Sequence, residues 1–258
     1  MTIDFHSQDN RFTYSSRGAD VSWINMLNSI CDITGKKVLD IGCGGGIYSR
    51  ALAEMGASFV TGLDFSEQLL SSAKENSRQY SNIHFQLGNA LDTGLESEKF
   101  DVVLERAVVH HIKDLDTCFN EIYRVLKPNG VCLIQDRTPE DCLLEGSPTH
   151  IRGYFFEQYP QLINKEVSRR YSSAKVLQAF EEAGFKESKE YSLWETRKTY
   201  KALAELEADL LNRTGRSILH DLSDQQLEYL VSYIGEQLNT KDKIIEKDRW
   251  TIWKAIKK

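Results

Sequence analysis

A chain of 258 residues with 41% hydrophobic and 27% charged residues has an ordinary globular composition, with room for one α/β domain and an elaboration. Its formal charge of −6, from 38 acidic against 32 basic residues, argues against a broad nucleic-acid footprint, which is built on clustered Lys and Arg. No apolar run approaches the roughly 20 residues that span a bilayer, and the opening MTIDFHSQDNRF lacks the pattern of a secretory signal. Five scattered cysteines (Cys31, Cys43, Cys118, Cys132, Cys142), odd in number and without a CxxC spacing, speak against a disulfide framework or a zinc site. A reducing, cytoplasmic location is the expectation, with no metal.

From Lys37 onward, short apolar runs alternate with amphipathic stretches. KKVLDIG predicts a buried strand and YSRALAEMG a helix closed by Gly56. SFVTGLD predicts a second strand, followed by the helix EQLLSSAKENS with Ser66 as its cap. NIHFQLG, FDVVLER and VCLIQD read as three more strands, with the helix DLDTCFNEIYRVL ending at the KPNG turn between the last two. This alternation predicts a parallel sheet covered on both faces.

Past Asp136 the rhythm breaks. Residues 137–170 are rich in aromatics and turn formers (SPTHIRGYFFEQYPQL) and predict a lid-like insertion. SSAKVLQAFEEAGF returns to helix, with Gly184 as its stop, and KESKEYSLWE is strand-like. In SDQQLEYLVSYIGEQL, Leu227, Leu230, Val231, Ile234 and Leu238 share one helical face, and Ser223 with Gln226 forms a capping box. That face suits either a cap or a dimer contact, so monomer and homodimer stay open. DRWTIWKAIKK alternates as a last strand. The expected organisation is a helical segment at 1–35 contributing to a cap, a core at 36–195 carrying the insertion, a helical cap insertion at 196–246 and a final core strand at 247–258.

The chemistry starts in VLDIGCGGG. Gly42, Gly44 and Gly46 let the backbone turn sharply and approach a ligand, and the next helix offers its free N–H groups there. A nicotinamide dinucleotide would require G-x-G-x-x-G, but the sixth position is Ile47 or Ser49, which disfavours an NAD-dependent oxidoreductase. Asp40, just ahead of the turn, suits a cationic ligand better than a pyrophosphate. Asp64 ends the next strand, where a carboxylate can accept from a ribose diol, and Phe65 beside it would lie against a purine. The bland alternatives are a tight turn without ligand and an Asp serving as a helix cap, with Ser66 competing for that role.

The order D-x-G-x-G-x-G, an acid ending the second strand, LGNALD, FDVV and LKPNG resembles the class I S-adenosylmethionine-dependent methyltransferases. It is most similar to the small-molecule branch related to ubiquinone and menaquinone biosynthesis, strongly over residues 36–136. The resemblance implies a Rossmann-like, seven-stranded, mostly parallel sheet with a helical cap, and S-adenosyl-L-methionine as cofactor. Gly42, Cys43 and Gly44 would lie against its methionine moiety with Asp40 in support, and Asp64 would hold the ribose. Asn89, Ala90 and Leu91 would meet the adenine. The family usually has Asp at the position of Asn89, whose amide oxygen can still accept. Glu105 would offer its carbonyl to the methionine ammonium, with Arg106 beside it, and Tyr14 and Arg17 of YSSR would reach the methionine carboxylate.

Methyl transfer from a sulfonium is an in-line displacement, and positioning can supply roughly 7–11 kcal/mol of the barrier reduction. A base is needed only where the acceptor must lose a proton. His110 and His111 of ERAVVHHIKD, just past the fourth strand, suit that role, though either would equally shape the cofactor pocket. Glu105 or Arg106 would bind substrate or form a local ion pair. The acids of QDRTPED read as a solvated surface. The resemblance implies a small-molecule acceptor, and no [DNS]PPY step or Pro-Cys pair points to DNA methylation instead. Tyr154, Phe155, Phe156 and Tyr159 would either wall it or form the core of a cap. A cofactor-binding regulator of the same fold, without transfer activity, is the alternative outside enzymology.

Overall fold

The computed structural model describes residues 18–240 and 242–258. Its strands are β1 Lys37–Ile41, β2 Phe59–Asp64, β3 Ile83–Leu87, β4 Phe100–Arg106, β5 Leu126–Asp136, β6 Lys186–Tyr200 and β7 Ile244–Ile256. The helices are α1 Val21–Ile30, α2 Ile47–Glu54, α3 Glu67–Asn76, α4 Leu115–Val125 and α5 Pro139–Cys142. They continue as α6 Gly153–Gln158, α7 Gln161–Val167, α8 Ser173–Glu182, α9 Leu203–Leu211 and α10 Asp224–Leu238. Among the described residues no helix is long and apolar enough to cross a membrane.

One seven-stranded sheet runs in the order β3-β2-β1-β4-β5-β7-β6. Neighbours among β1 to β5 pair parallel, and β7 runs antiparallel to β5. This is the expected Rossmann-like α/β arrangement. Several helices start where a short polar side chain caps them. Ser66 Oγ accepts from Leu69 N–H at the head of α3, and Asp114 accepts from Thr117 N–H at the head of α4. Gly56 and Gly184, both at φ 93°, follow α2 and α8 in the left-handed conformation that ends a helix.

Strand alternation sends side chains to opposite faces. Leu39, Ile41, Val103, Cys132 and Ile134 join Phe119 and Ile122 of α4 and Val176 and Phe180 of α8 in one core. On the other face, Asp40 meets Ser49 of α2, and Gln135 accepts from the indole N–H of Trp23 on α1 at 2.8 Å.

The chain divides into two compact units. One, the sheet unit, holds the described residues up to Asp136, with Tyr171–Leu193 and Thr251–Lys258; the other, the helical unit, holds Arg137–Arg170 and Trp194–Trp250. Two expectations about boundaries change. α1 belongs to the sheet unit rather than to a cap, tied there by Trp23, which is fully buried. β6 continues to Tyr200 and β7 starts at Ile244, so both outrun the predicted segments, whose ends are hidden by interspersed charges.

Tyr154, Phe155 and Phe156 are buried with Leu206, Leu210 and Leu219 in the core of the helical unit, and Tyr159 packs against them. Leu227, Leu230, Val231, Ile234 and Leu238 of α10 join the same core. The aromatic run is therefore core, and the apolar face of α10 is covered within its own unit. All five thiols are buried and free. Burial pushes those of Cys43, Cys118 and Cys132 well above the usual range and lifts Cys142 to about 11.

Glu105 on β4 is fully buried in the sheet unit. The Cys118 thiol donates to its Oε2 at 3.4 Å, and Oε1 has no hydrogen-bond partner among the described residues. Burial raises its pKa to about 8, with the charge of Asp136 adding to the rise, so the acid is mostly neutral at pH 7. Its folded-state value lies above the unfolded one of about 4.5. The stability that neutral burial provides is thus complete below pH ~4.5 and lost as pH rises through about 8. Glu105→Gln, an uncharged isostere, is expected to match the wild type near pH 4.5 and to gain on it by up to ~1.4 kcal/mol per pH unit above that. Urea unfolding at pH 5 and pH 8 measures the difference; parallel losses in both proteins would show that Glu105 is already ionised.

Candidate functional site

The parallel strands β1 to β5 bring their carboxyl ends to one edge, and the strand order reverses between β1 and β4, the place where open α/β sheets bind ligands. The turn after β1 is anchored on β2: Gly42 N–H donates to Leu63 O at 2.7 Å and Cys43 N–H to the same oxygen at 3.1 Å. Gly42, Gly44 and Gly46 all have positive φ, at 69°, 51° and 77°. A Cβ on Gly42 would stand 2.2 Å from Val108 Cγ2, and one on Gly46 would stand 2.9 Å from Phe85 Cζ. A Cβ on Gly44 would meet nothing within 4 Å among the described residues. Packing thus accounts for the outer two glycines, whereas Gly44 presents bare backbone that no described side chain covers. The Cys43 side chain turns away, into a small core with Leu70, Ala73 and Phe85.

Asp64 holds this turn from the end of β2. Its Oδ2 accepts from Gly44 N–H at 2.8 Å and its Oδ1 from Ser66 N–H at 2.9 Å. Both carboxylate oxygens thus accept from backbone N–H groups, one in the glycine turn and one at the cap of α3. Ser66, not Asp64, caps α3. Phe65 is 57% exposed, an unusual state for a large ring, and stands beside Asp64. Asp40 is buried and accepts from Ser49 Oγ at 2.6 Å. Burial raises its pKa to about 7, the Ser49 hydroxyl opposing and the charge of Asp64 adding. Two carboxylates beside a glycine turn with a bare backbone fit a cationic, hydroxyl-bearing nucleoside ligand.

After β3, Asn89 is exposed and folds on itself: its Oδ1 accepts from Leu91 N–H at 3.0 Å. Ala90 and Leu91 pack partly against the main core of the sheet unit. After β4, the guanidinium of Arg106 lies 4.1 Å over the Tyr48 ring, and its charge opposes the rise that burial imposes on the pKa of Asp40. The Glu105 side chain, in contrast, is committed to the core beside Cys118, away from the substrate role considered for it, leaving its backbone at the strand end. Tyr14 and Arg17 lie outside the described residues.

His110 and His111 sit on a short 3-10 turn, Val109–His111, with ring centroids 4.0 Å apart. Asp136, the last residue of β5, accepts from His110 Nδ1 at 2.7 Å and from His110 N–H at 3.2 Å. This partner was missed in the sequence. Asp136 is 2% exposed, which corrects the reading of QDRTPED as a solvated run; Asp141 is buried too. Its position at a strand's carboxyl end, the criterion applied to Asp64, was the available signal. Ser49 and Tyr48, which support Asp40 and Arg106 from α2, carried no such signal.

A family model described as a methyltransferase domain matches residues 33–184, more than half of the chain. Among curated proteins, the ubiquinone biosynthesis O-methyltransferase of Haemophilus ducreyi is 40% identical over 106 residues, 39% of this chain and 44% of the relative. That of Pseudomonas entomophila is 34% identical over 126 residues, 47% of this chain and 53% of the relative. The matched part is thus about half the length of these relatives or less. Among solved structures, phosphoethanolamine N-methyltransferase 2 of Haemonchus contortus, in complex with phosphomonomethylethanolamine and S-adenosylhomocysteine, superposes with a TM-score of 0.61 at 21% identity, covering 99% of this chain and 61% of that one. Glycine turn, strand-end acids and sheet order agree with the family match: the chain belongs to the methyltransferase-domain family.

Proposed function

We propose that the chain transfers a methyl group from S-adenosylmethionine to a hydroxyl of a small molecule. The observation that carries the cofactor assignment is the pair of hydrogen bonds by which Asp64 ties Gly44 N–H and Ser66 N–H, presenting a carboxylate and bare backbone together. The cofactor supplies an activated methyl group on a sulfonium. Asp64 holds its ribose diol, Asp40 supports the glycine turn beside the cation, and Phe65 lies against the purine. Asn89 accepts from the adenine amino group with the second lone pair of Oδ1.

His110 deprotonates the acceptor. The short contact with Asp136 places the ring proton on Nδ1 and makes Nε2 the basic nitrogen, while the second bond, from His110 N–H, fixes the turn. An oxygen acceptor is supported by this pair, because a hydroxyl must lose its proton to become a methyl ether. It is also supported by the O-methyltransferase names of the curated relatives. A cofactor-binding regulator would bind the same ligand but form no S-adenosylhomocysteine with any acceptor, which a metabolite screen distinguishes.

Asp64→Asn replaces one accepting oxygen by an amide N–H₂ that faces a backbone N–H. Calorimetry with S-adenosylhomocysteine is expected to show at least tenfold weaker binding, as losing a charge-assisted hydrogen bond of roughly 1.5–3 kcal/mol requires. Unchanged affinity in the folded variant would remove Asp64 from the site.

His110→Ala is expected to lower kcat about 10²–10⁴-fold while leaving cofactor affinity within a factor of about two. Wild-type turnover should rise with pH as the imidazole loses its proton, and that limb should vanish in the variant. A variant with normal kcat and the same pH profile would assign proton removal to solvent.

A further inference from the structure

The turn that carries His110 and His111 is held at His110 by Asp136, and a second hold lies at its other end. The Tyr171 hydroxyl donates to Ile112 O at 2.6 Å and lies 3.3 Å from Lys113 O. Ile112 closes the turn, its own N–H donating to Val109 O at 3.0 Å. Its carbonyl is one of the groups that a helical turn leaves without an internal partner. A phenol proton from 59 residues further along the chain fills that gap.

The hydroxyl comes from a well-anchored place. Tyr171 precedes Ser172, which caps α8 by accepting from Lys175 N–H at 3.3 Å. The indole N–H of fully buried Trp253 on β7 donates to Ser173 Oγ at 3.0 Å and ties the same helix start to the sheet. Further along α8, Phe180 stacks on Phe119 of α4 with ring centroids 4.7 Å apart. The Tyr171 ring packs against the main core of the sheet unit, as does Ile112. Burial raises the phenol pKa, and the charges of Asp114 and Asp116 add to the rise. Tyr171 therefore stays a proton donor wherever an imidazole titrates. The turn is pinned from two sides: Asp136 fixes the ring and backbone of His110, and Tyr171 fixes the exit towards α4.

We propose that Tyr171 is a positioning residue for methyl transfer: through the Ile112 carbonyl, its hydroxyl holds the histidine turn so that His110 keeps its bond to Asp136 and its basic Nε2 towards the acceptor. This role rests on His110 being the base. Such a hold matters because a misplacement of about 1 Å can cost roughly 10²-fold in rate. It matters less for stability, since Ile112 and Tyr171 are only half-buried and Lys113 is exposed, so water can take the place of the hydroxyl.

Tyr171→Phe removes the hydroxyl and keeps the ring, and it is compared with the wild type as the full chain without ligand. Long-range proton–nitrogen spectra of the neutral imidazoles report which nitrogen carries the proton, with His110 assigned by its loss in His110→Gln. The wild type is expected to carry the His110 proton mainly on Nδ1. In Tyr171→Phe a substantial fraction should move to Nε2. The backbone amides of His110 and Ile112 should exchange roughly tenfold faster or more, while core amides of β1 and β4 keep their wild-type rates. An unchanged tautomer in Tyr171→Phe would overturn the proposal, whatever the amides do. So would equal acceleration of turn and core amides, the result expected of a hydroxyl that only stabilises the fold. A wild type with the His110 proton on Nε2 would overturn the base reading and this role with it; that result is read from the wild type, so the two failures are separate.

Discussion

The glycine turn after β1 is built on the end of β2, and the rest of the site depends on that attachment. Gly42 and Cys43 donate to the Leu63 carbonyl and Gly44 to the Asp64 carboxylate, so two neighbouring strand ends are locked together. The packing beneath is shaped to allow it. A Cβ on Gly62, within β2, would stand 2.6 Å from Phe85 Cδ1 and 3.0 Å from Cys43 Sγ. A glycine that weakens a strand is thus kept where the Phe85 ring and the turn must both approach it. The parallel register then carries the remaining strand-end residues, from Asn89 to Asp136, to the same edge.

Buried charge is distributed unevenly between the units. Asp40, Asp64, Glu105 and Asp136 are all buried in the sheet unit, near strand ends, and burial leaves Asp40 and Glu105 largely or partly protonated at neutral pH. In the helical unit, by contrast, neighbouring guanidiniums hold the buried acids Glu166 and Asp248 in their charged form. The net charge of −6 conceals both. Composition describes the surface average, whereas function is written in such local differences.

The sheet unit was legible because parallel strands, buried on both faces, appear as continuous apolar runs such as KVLDI and VCLIQD. Caps and glycine stops at Ser66, Gly56 and Gly184 are local signals and were legible for the same reason. Contacts between distant residues were not. Asp136 lies 26 residues from His110 in sequence, and only the pairing of β4 with β5 makes them neighbours. The helical unit was hardest to read: its helices from α5 to α7 have four to seven residues, too short to show a period. Likewise, periodicity shows that the apolar face of α10 must be covered, but not by what.

The five buried thiols have a practical consequence. A thiol reagent needs both access and a thiolate, and burial denies the first while its effect on pKa suppresses the second. Alkylation of the native chain therefore requires the protein to open. Cys31, Cys43, Cys118 and Cys132 lie in the sheet unit and Cys142 in the helical unit. The natural sequence consequently contains its own reporters: peptide mapping after pulsed labelling would give separate opening rates for the two units without any engineered probe.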